Sequence, residues 1–173
     1  MDGIMRLLYN PVFVSAGIIA VSVFALAAAL ISEYVFGLEP CILCIYQRYP
    51  YVAAILLGAL GIVMRQRGPM VAAMPVAMAA LAFGVNSGIA FHHVGVEQGW
   101  WETKAGCNVD FSGQSQNASS VLAQMLKTPA VPCDQIPWQD PVFGVSMAGY
   151  NFILCLALAL GCFMCSILVY RSR

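Results

Sequence analysis

Cys41 and Cys44 stand as a C-x-x-C directly after Pro40 in this 173-residue chain. That spacing lets two thiols exchange with a disulfide or bind a soft metal. Proline suits the first turn of a helix, so both cysteines are expected in that turn, where the helix dipole favours a thiolate. At about 100° per residue, Arg48 falls roughly 40° around the axis from Cys44 and one turn deeper. A guanidinium on that face would favour the thiolate further. A c-type haem attachment needs His after the second cysteine, and Ile45 is there. A zinc site needs two further ligands, and the adjoining loop offers none. Cys162 and Cys165 repeat the spacing within a long apolar run. A thiol held in hydrocarbon forms little thiolate, so these two and Cys155 read as small packing residues.

The elements that must position the pair follow from composition. The chain is 61% hydrophobic and 9% charged, against roughly a quarter charged in soluble domains. Its formal charge of zero provides no basic surface for nucleic acid. Four apolar stretches, roughly 11–32, 42–64, 70–91 and 144–168, are each long enough to cross a bilayer as a helix. The expected fold is an all-α membrane protein, a single four-helix domain over 1–173. The first stretch exceeds the roughly 7 to 15 apolar residues of a signal-peptide core, and it reads as a retained helix. Arg6, Arg65, Arg67, Arg171 and Arg173 fall at one set of helix ends, in short segments, which places both termini on the cytoplasmic side. The connection of about 92–141 then faces the oxidising side, together with Cys41, Cys44, Cys107 and Cys133.

That connection is rich in Gly, Ser, Asn, Gln and Pro. Asn117 is placed to cap a short helix with Val121, Leu122, Met125 and Leu126 at helical spacing, and such a helix would lie on the membrane surface. A static disulfide between Cys107 and Cys133 would stabilise the loop by about 3 kcal/mol. A working disulfide is the other reading. Asn117-Ala118-Ser119 also fits a glycosylation acceptor, a motif so short that it is read as chance. His92 and His93 close the third helix on the same side as Arg48, either as interfacial caps or as donors to a ligand. Trp100, Trp101 and Trp138 read first as interfacial anchors.

The run CILCIYQR from Cys41 to Arg48 resembles the signature of the disulfide bond formation protein B family. The likeness extends to a histidine ending the third helix, best matched by His93, to the loop pair Cys107 and Cys133, and to FGVSMAGYN over Phe143–Asn151. It implies a thiol oxidase of the bacterial inner membrane with a periplasmic loop. Cys107 would form the mixed disulfide with a periplasmic thioredoxin-like (DsbA-like) dithiol oxidase, and Cys133 would pass the reducing equivalents to Cys41. Cys44, with Arg48 and His93, would serve a quinone, either ubiquinone or menaquinone, and the quinol would feed the respiratory chain. A partner poised near −120 mV requires an acceptor of higher potential, which a quinone provides and a nicotinamide does not.

Two other readings compete. A quinone reductase of the vitamin K epoxide reductase type shares the bundle and the C-x-x-C, though there the pair is expected late in the bundle. A non-enzymatic bundle with structural disulfides predicts that no thioredoxin-like protein is oxidised.

Overall fold

The computed structural model describes residues 10–101 and 132–171. Cys107 and the expected surface helix capped by Asn117 lie outside the described residues. Within them the chain forms α1 (Pro11–Tyr34), α2 (Ile42–Tyr46), α3 (Arg48–Met64), a 3-10 turn (Arg65–Arg67), α4 (Pro69–Glu97) and α5 (Met147–Arg171). Four helical segments, with α2 and α3 counted together, are long and apolar enough to cross a membrane.

α1 starts where Asn10 caps Val12 N–H and Pro11 occupies the first turn. Proline also opens α4, a position that wastes no backbone donor. The expected single helix over 42–64 is broken at Gln47. Pro50 explains the break, because its ring opposes the carbonyl of Tyr46, four residues back, where α2 ends. Pro40 lies one residue before the cap, and Cys41 itself is the N-cap. α4 runs six residues past its expected end because His93 and Val96 are buried and hold the last turns against the bundle. α5 begins at Met147, later than 144. Gly144 has φ +64° and Gln139 bridges Ser146, which commits 139–146 to a turn.

α4 packs along both α3 and α5, and α1 packs on α3. α1 meets α5 only marginally, so the bundle is open on that side. Small residues permit the close α1–α3 approach: a Cβ on Gly58 would lie 3.0 Å from the Ser15 carbonyl oxygen and 2.7 Å from Ile19 Cγ1. The buried residues form three levels. Ala72, Ala73 and Val169 pack at one end, and Val14, Ile18, Tyr51, Ala54, Phe83 and Cys155 are in the middle. Cys41, Leu43, Val96 and Cys133 pack at the other end.

Candidate functional site: a cysteine pair at the end of an apolar cavity

The break at Gln47 leaves α2 as a short helix whose first residues are the cysteines. Cys41 Sγ accepts a hydrogen bond from Cys44 N–H at 3.4 Å and donates its own proton to Cys44 Sγ at 3.1 Å. Both are thiols here. The hydrogen bond to Cys44 is the main cause that pushes the Cys41 thiol up to about 12, with burial adding to it and the bond to His93 opposing. Cys41 is therefore the sulfur that keeps its proton.

α4 brings His93 over the pair, with Nε2 3.5 Å from Cys41 Sγ. On the next turn Glu97 sets a carboxylate oxygen 3.7 Å from the same nitrogen, and both side chains are almost fully buried. Ser146, from the turn before α5, donates to the other oxygen of Glu97. Gln47, at the helix break, places its amide nitrogen 3.0 Å from His93 Nδ1.

The gap between α1 and α5 forms a cavity of about 380 Å³. Cys41, Cys44, Arg48 and His93 line it along with apolar residues such as Phe24 and Leu154. Arg48 is held by Glu33 of α1 at 2.7 Å. Cys133 is fully buried in the cluster that contains Cys41, with Cys44 packed against it.

The structure thus brings together Cys41, Cys44, Cys133, Arg48 and His93 out of the residues singled out in the sequence. Cys107 falls outside the described residues. His92 points away and stacks on Trp101, whose indole N–H donates to the His92 carbonyl at 3.1 Å. Trp138 lines the cavity. Glu33 and Glu97 lie outside every motif in the sequence, Gln47 and Asn151 stand inside two of them with no role assigned, and Pro50 is the available signal for the break that turns Gln47 inward. One further ligand for the pair comes from α4: the two sulfurs and a ring nitrogen of His93 lie within 4.8 Å of one another. That gives three of the four ligands a structural zinc site needs.

A four-span bundle that seats a dithiol, a histidine and an arginine on one apolar cavity defines a membrane protein built around a reactive cysteine pair. The chain belongs to the disulfide bond formation protein DsbB family, whose profile matches residues 12–165. It is 32% identical over 155 residues to a disulfide bond formation protein B of Xanthomonas axonopodis pv. citri, covering 85% of each chain. Relatives of the same name in Xanthomonas campestris pv. campestris and in a Polaromonas species are 31% and 30% identical, each over 137 residues and 78% of both chains. No solved structure gives a significant match to the chain. The protein is therefore a multi-pass membrane protein of disulfide bond formation.

Proposed function

We propose that the protein is a thiol:quinone oxidoreductase of the bacterial inner membrane, with both termini cytoplasmic. It reoxidises a periplasmic thioredoxin-like dithiol oxidase and passes the electrons to a quinone. The observation that carries this reading is the junction of two environments at one dithiol. On one side, Cys41 packs with Cys133 in a buried cluster. On the other, Cys44 opens on an apolar cavity with Arg48 and His93. The cavity suits an apolar ring with a prenyl tail, and the cation and imidazole suit its carbonyl oxygens. When bound, a quinone supplies an acceptor for two electrons and two protons.

The residues act in sequence by thiolate attack on a disulfide sulfur. The reduced partner attacks Cys107 of the Cys107–Cys133 disulfide and releases Cys133 as the thiolate. Cys133 attacks Cys41 of the Cys41–Cys44 disulfide and releases Cys44. Cys44 then faces the cavity as the electron donor, beside Arg48 and the α2 terminus. The second partner thiol attacks the partner's own sulfur in the mixed disulfide, which oxidises the partner and expels Cys107. Cys107 then attacks Cys133 of the Cys133–Cys41 disulfide, which restores the loop disulfide and releases Cys41 as a thiol. Two electrons leave the partner and two reach the Cys41–Cys44 dithiol, so the exchange balances.

The deciding experiment is quinone reduction by the purified protein in detergent with a reduced thioredoxin-like protein, comparing wild type with Cys44→Ser and Cys107→Ser. Turnover in wild type alone is expected. Turnover that survives loss of Cys107 would contradict the relay, and an absence of turnover with either quinone would reduce the protein to a structural bundle.

A further inference from the structure

A chain of side-chain hydrogen bonds runs from His93 into the middle of the bundle. Gln47 Nε2 meets His93 Nδ1 at 3.0 Å, and Asn151 Nδ2 donates to Gln47 Oε1 at 2.6 Å. Tyr51 hydroxyl donates to Asn151 Oδ1 at 2.5 Å. At the inner end, the Cys155 thiol also donates to Asn151 Oδ1, at 3.5 Å, and Asn86 Nδ2 donates to Cys155 Sγ at 3.3 Å. Gln47, Tyr51 and Asn86 are buried and Asn151 is half-buried.

Such a chain has a direction, because each amide must present either its oxygen or its NH2 to the next group. The direction is decided at Glu97, whose carboxylate oxygen lies 3.7 Å from His93 Nε2 and favours a proton on that nitrogen. Turning the whole chain around would put the proton on Nδ1, against Gln47, and leave a bare Nε2 lone pair facing that carboxylate, which is unfavourable. The hydrogen bonds therefore point outward, from Tyr51 through Asn151 and Gln47, and His93 Nδ1 accepts. In this arrangement the neutral ring carries its proton on Nε2, the nitrogen that faces Cys41. A nitrogen with its proton there has no lone pair to offer a metal on that side.

We propose that Gln47 and Asn151 are positioning residues that hold His93 as the Nε2–H tautomer, so that the ring donates a hydrogen bond at the cysteine pair and the cavity rather than accepting one. The tautomer stands independently of the thiol:quinone reading, and its catalytic consequence rests on that reading. The protons balance without an outside source. As the two thiols become a disulfide they lose two protons and two electrons, and the quinone takes up both of each. His93 Nε2–H donates a hydrogen bond to the reduced acceptor oxygen and keeps its proton, while the Cys41 thiol, 3.5 Å from that nitrogen, supplies one of the two protons. The Cys44 proton is the other.

The test is direct because the chain has only two histidines. Full-length protein with ¹³C,¹⁵N-labelled histidine, reduced and held in lipid nanodiscs, is compared by NMR with His92→Gln, which leaves one labelled ring. A single Nε2–H tautomer is expected for His93. Gln47→Glu offers a carboxylate that accepts from Nδ1, so Nδ1–H should appear. Its kcat for a short-chain quinone should fall about tenfold, as expected for a lost hydrogen-bond donor to the developing charge, with KM changed less than about twofold. An Nδ1–H tautomer in the wild type, or a Gln47→Glu spectrum identical to it, overturns the proposal. If the wild type shows the Nε2–H tautomer but reduces no quinone, the positioning holds and the catalytic role falls with the functional reading.

Discussion

Arg48 Nη1 and Glu33 Oε2 lie 2.7 Å apart, joining α3 to α1 beside the cysteine pair. An arginine at this depth marks a functional site more often than a structural one, and its partner decides how it is read. Both side chains are about a quarter exposed, so the pair itself contributes under about 1 kcal/mol. Arg48→Met is expected to slow quinone reduction by about tenfold or more and leave the loop disulfide intact. Glu33→Gln, which keeps the guanidinium, should stay within about threefold of wild type. Steady-state quinone reduction measures both. Equal losses in the two variants would make the ion pair, and not the cation, the feature that matters.

The Cys41 thiol, pushed up to about 12 chiefly by its hydrogen bond to Cys44, yields a pH prediction of definite sign. A raised value means that Cys41 holds its proton at neutral pH and becomes a thiolate only as pH climbs towards about 12. In the reduced protein, alkylation of Cys41 by iodoacetamide should therefore be slow at neutral pH and rise steeply only in strong alkali. Cys44→Ala removes the largest cause, so the Cys41 profile should move to lower pH. Peptide mapping by mass spectrometry separates Cys41 from the other cysteines. A profile that does not move would exclude Cys44 as the cause.

The bundle was legible in the sequence because hydrocarbon imposes length and apolarity on each span, and four stretches meet both. The C-x-x-C was legible because its chemistry depends on local spacing. What escaped depends on packing. Asn86, beside Ser87 on α4, Asn151 on α5 and Tyr51 on α3 are far apart along the chain, and nothing local says that they meet. Cys155 reads as packing in the sequence, and it is in the core, but it is hydrogen-bonded as well. The break at Gln47 was readable from Pro50, yet the apolar run continues through it and hides it. Glu33 and Glu97 lie near helix ends, where a charge ordinarily meets water.

Gly58 and Gly17 provide a stability test of the α1–α3 contact. A Cβ at Gly58 would meet the Ser15 carbonyl oxygen and Ile19, whereas one at Gly17 meets nothing within 4 Å. Backbone on one side cannot yield cheaply, so Gly58→Val is expected to destabilise by about 1–3 kcal/mol through overpacking. Gly17→Ala should be neutral or slightly stabilising, since it relieves glycine's helix penalty of about 1 kcal/mol. Thermal unfolding in detergent reads both. A Gly58→Val protein as stable as wild type would mean that the helices can separate without cost.

Cys155 and Cys162 are both buried in the central core, and they allow the hydrogen bonds to be separated from the packing. Truncating either to Ala removes one sulfur and leaves a similar small cavity. Cys155 also accepts from Asn86 at 3.3 Å and meets the Tyr51 hydroxyl at 3.1 Å, while Cys162 makes no hydrogen bond among the described residues. Losing Cys155 leaves the Asn86 amide as a buried donor with no partner, a defect that costs about 1–3 kcal/mol. Cys155→Ala is therefore expected to lower thermal stability by more than Cys162→Ala, by about that margin. Cys155→Ser, which restores a polar atom, should recover part of it. Equal losses in the two alanine variants would show that the inner end of the chain contributes packing alone.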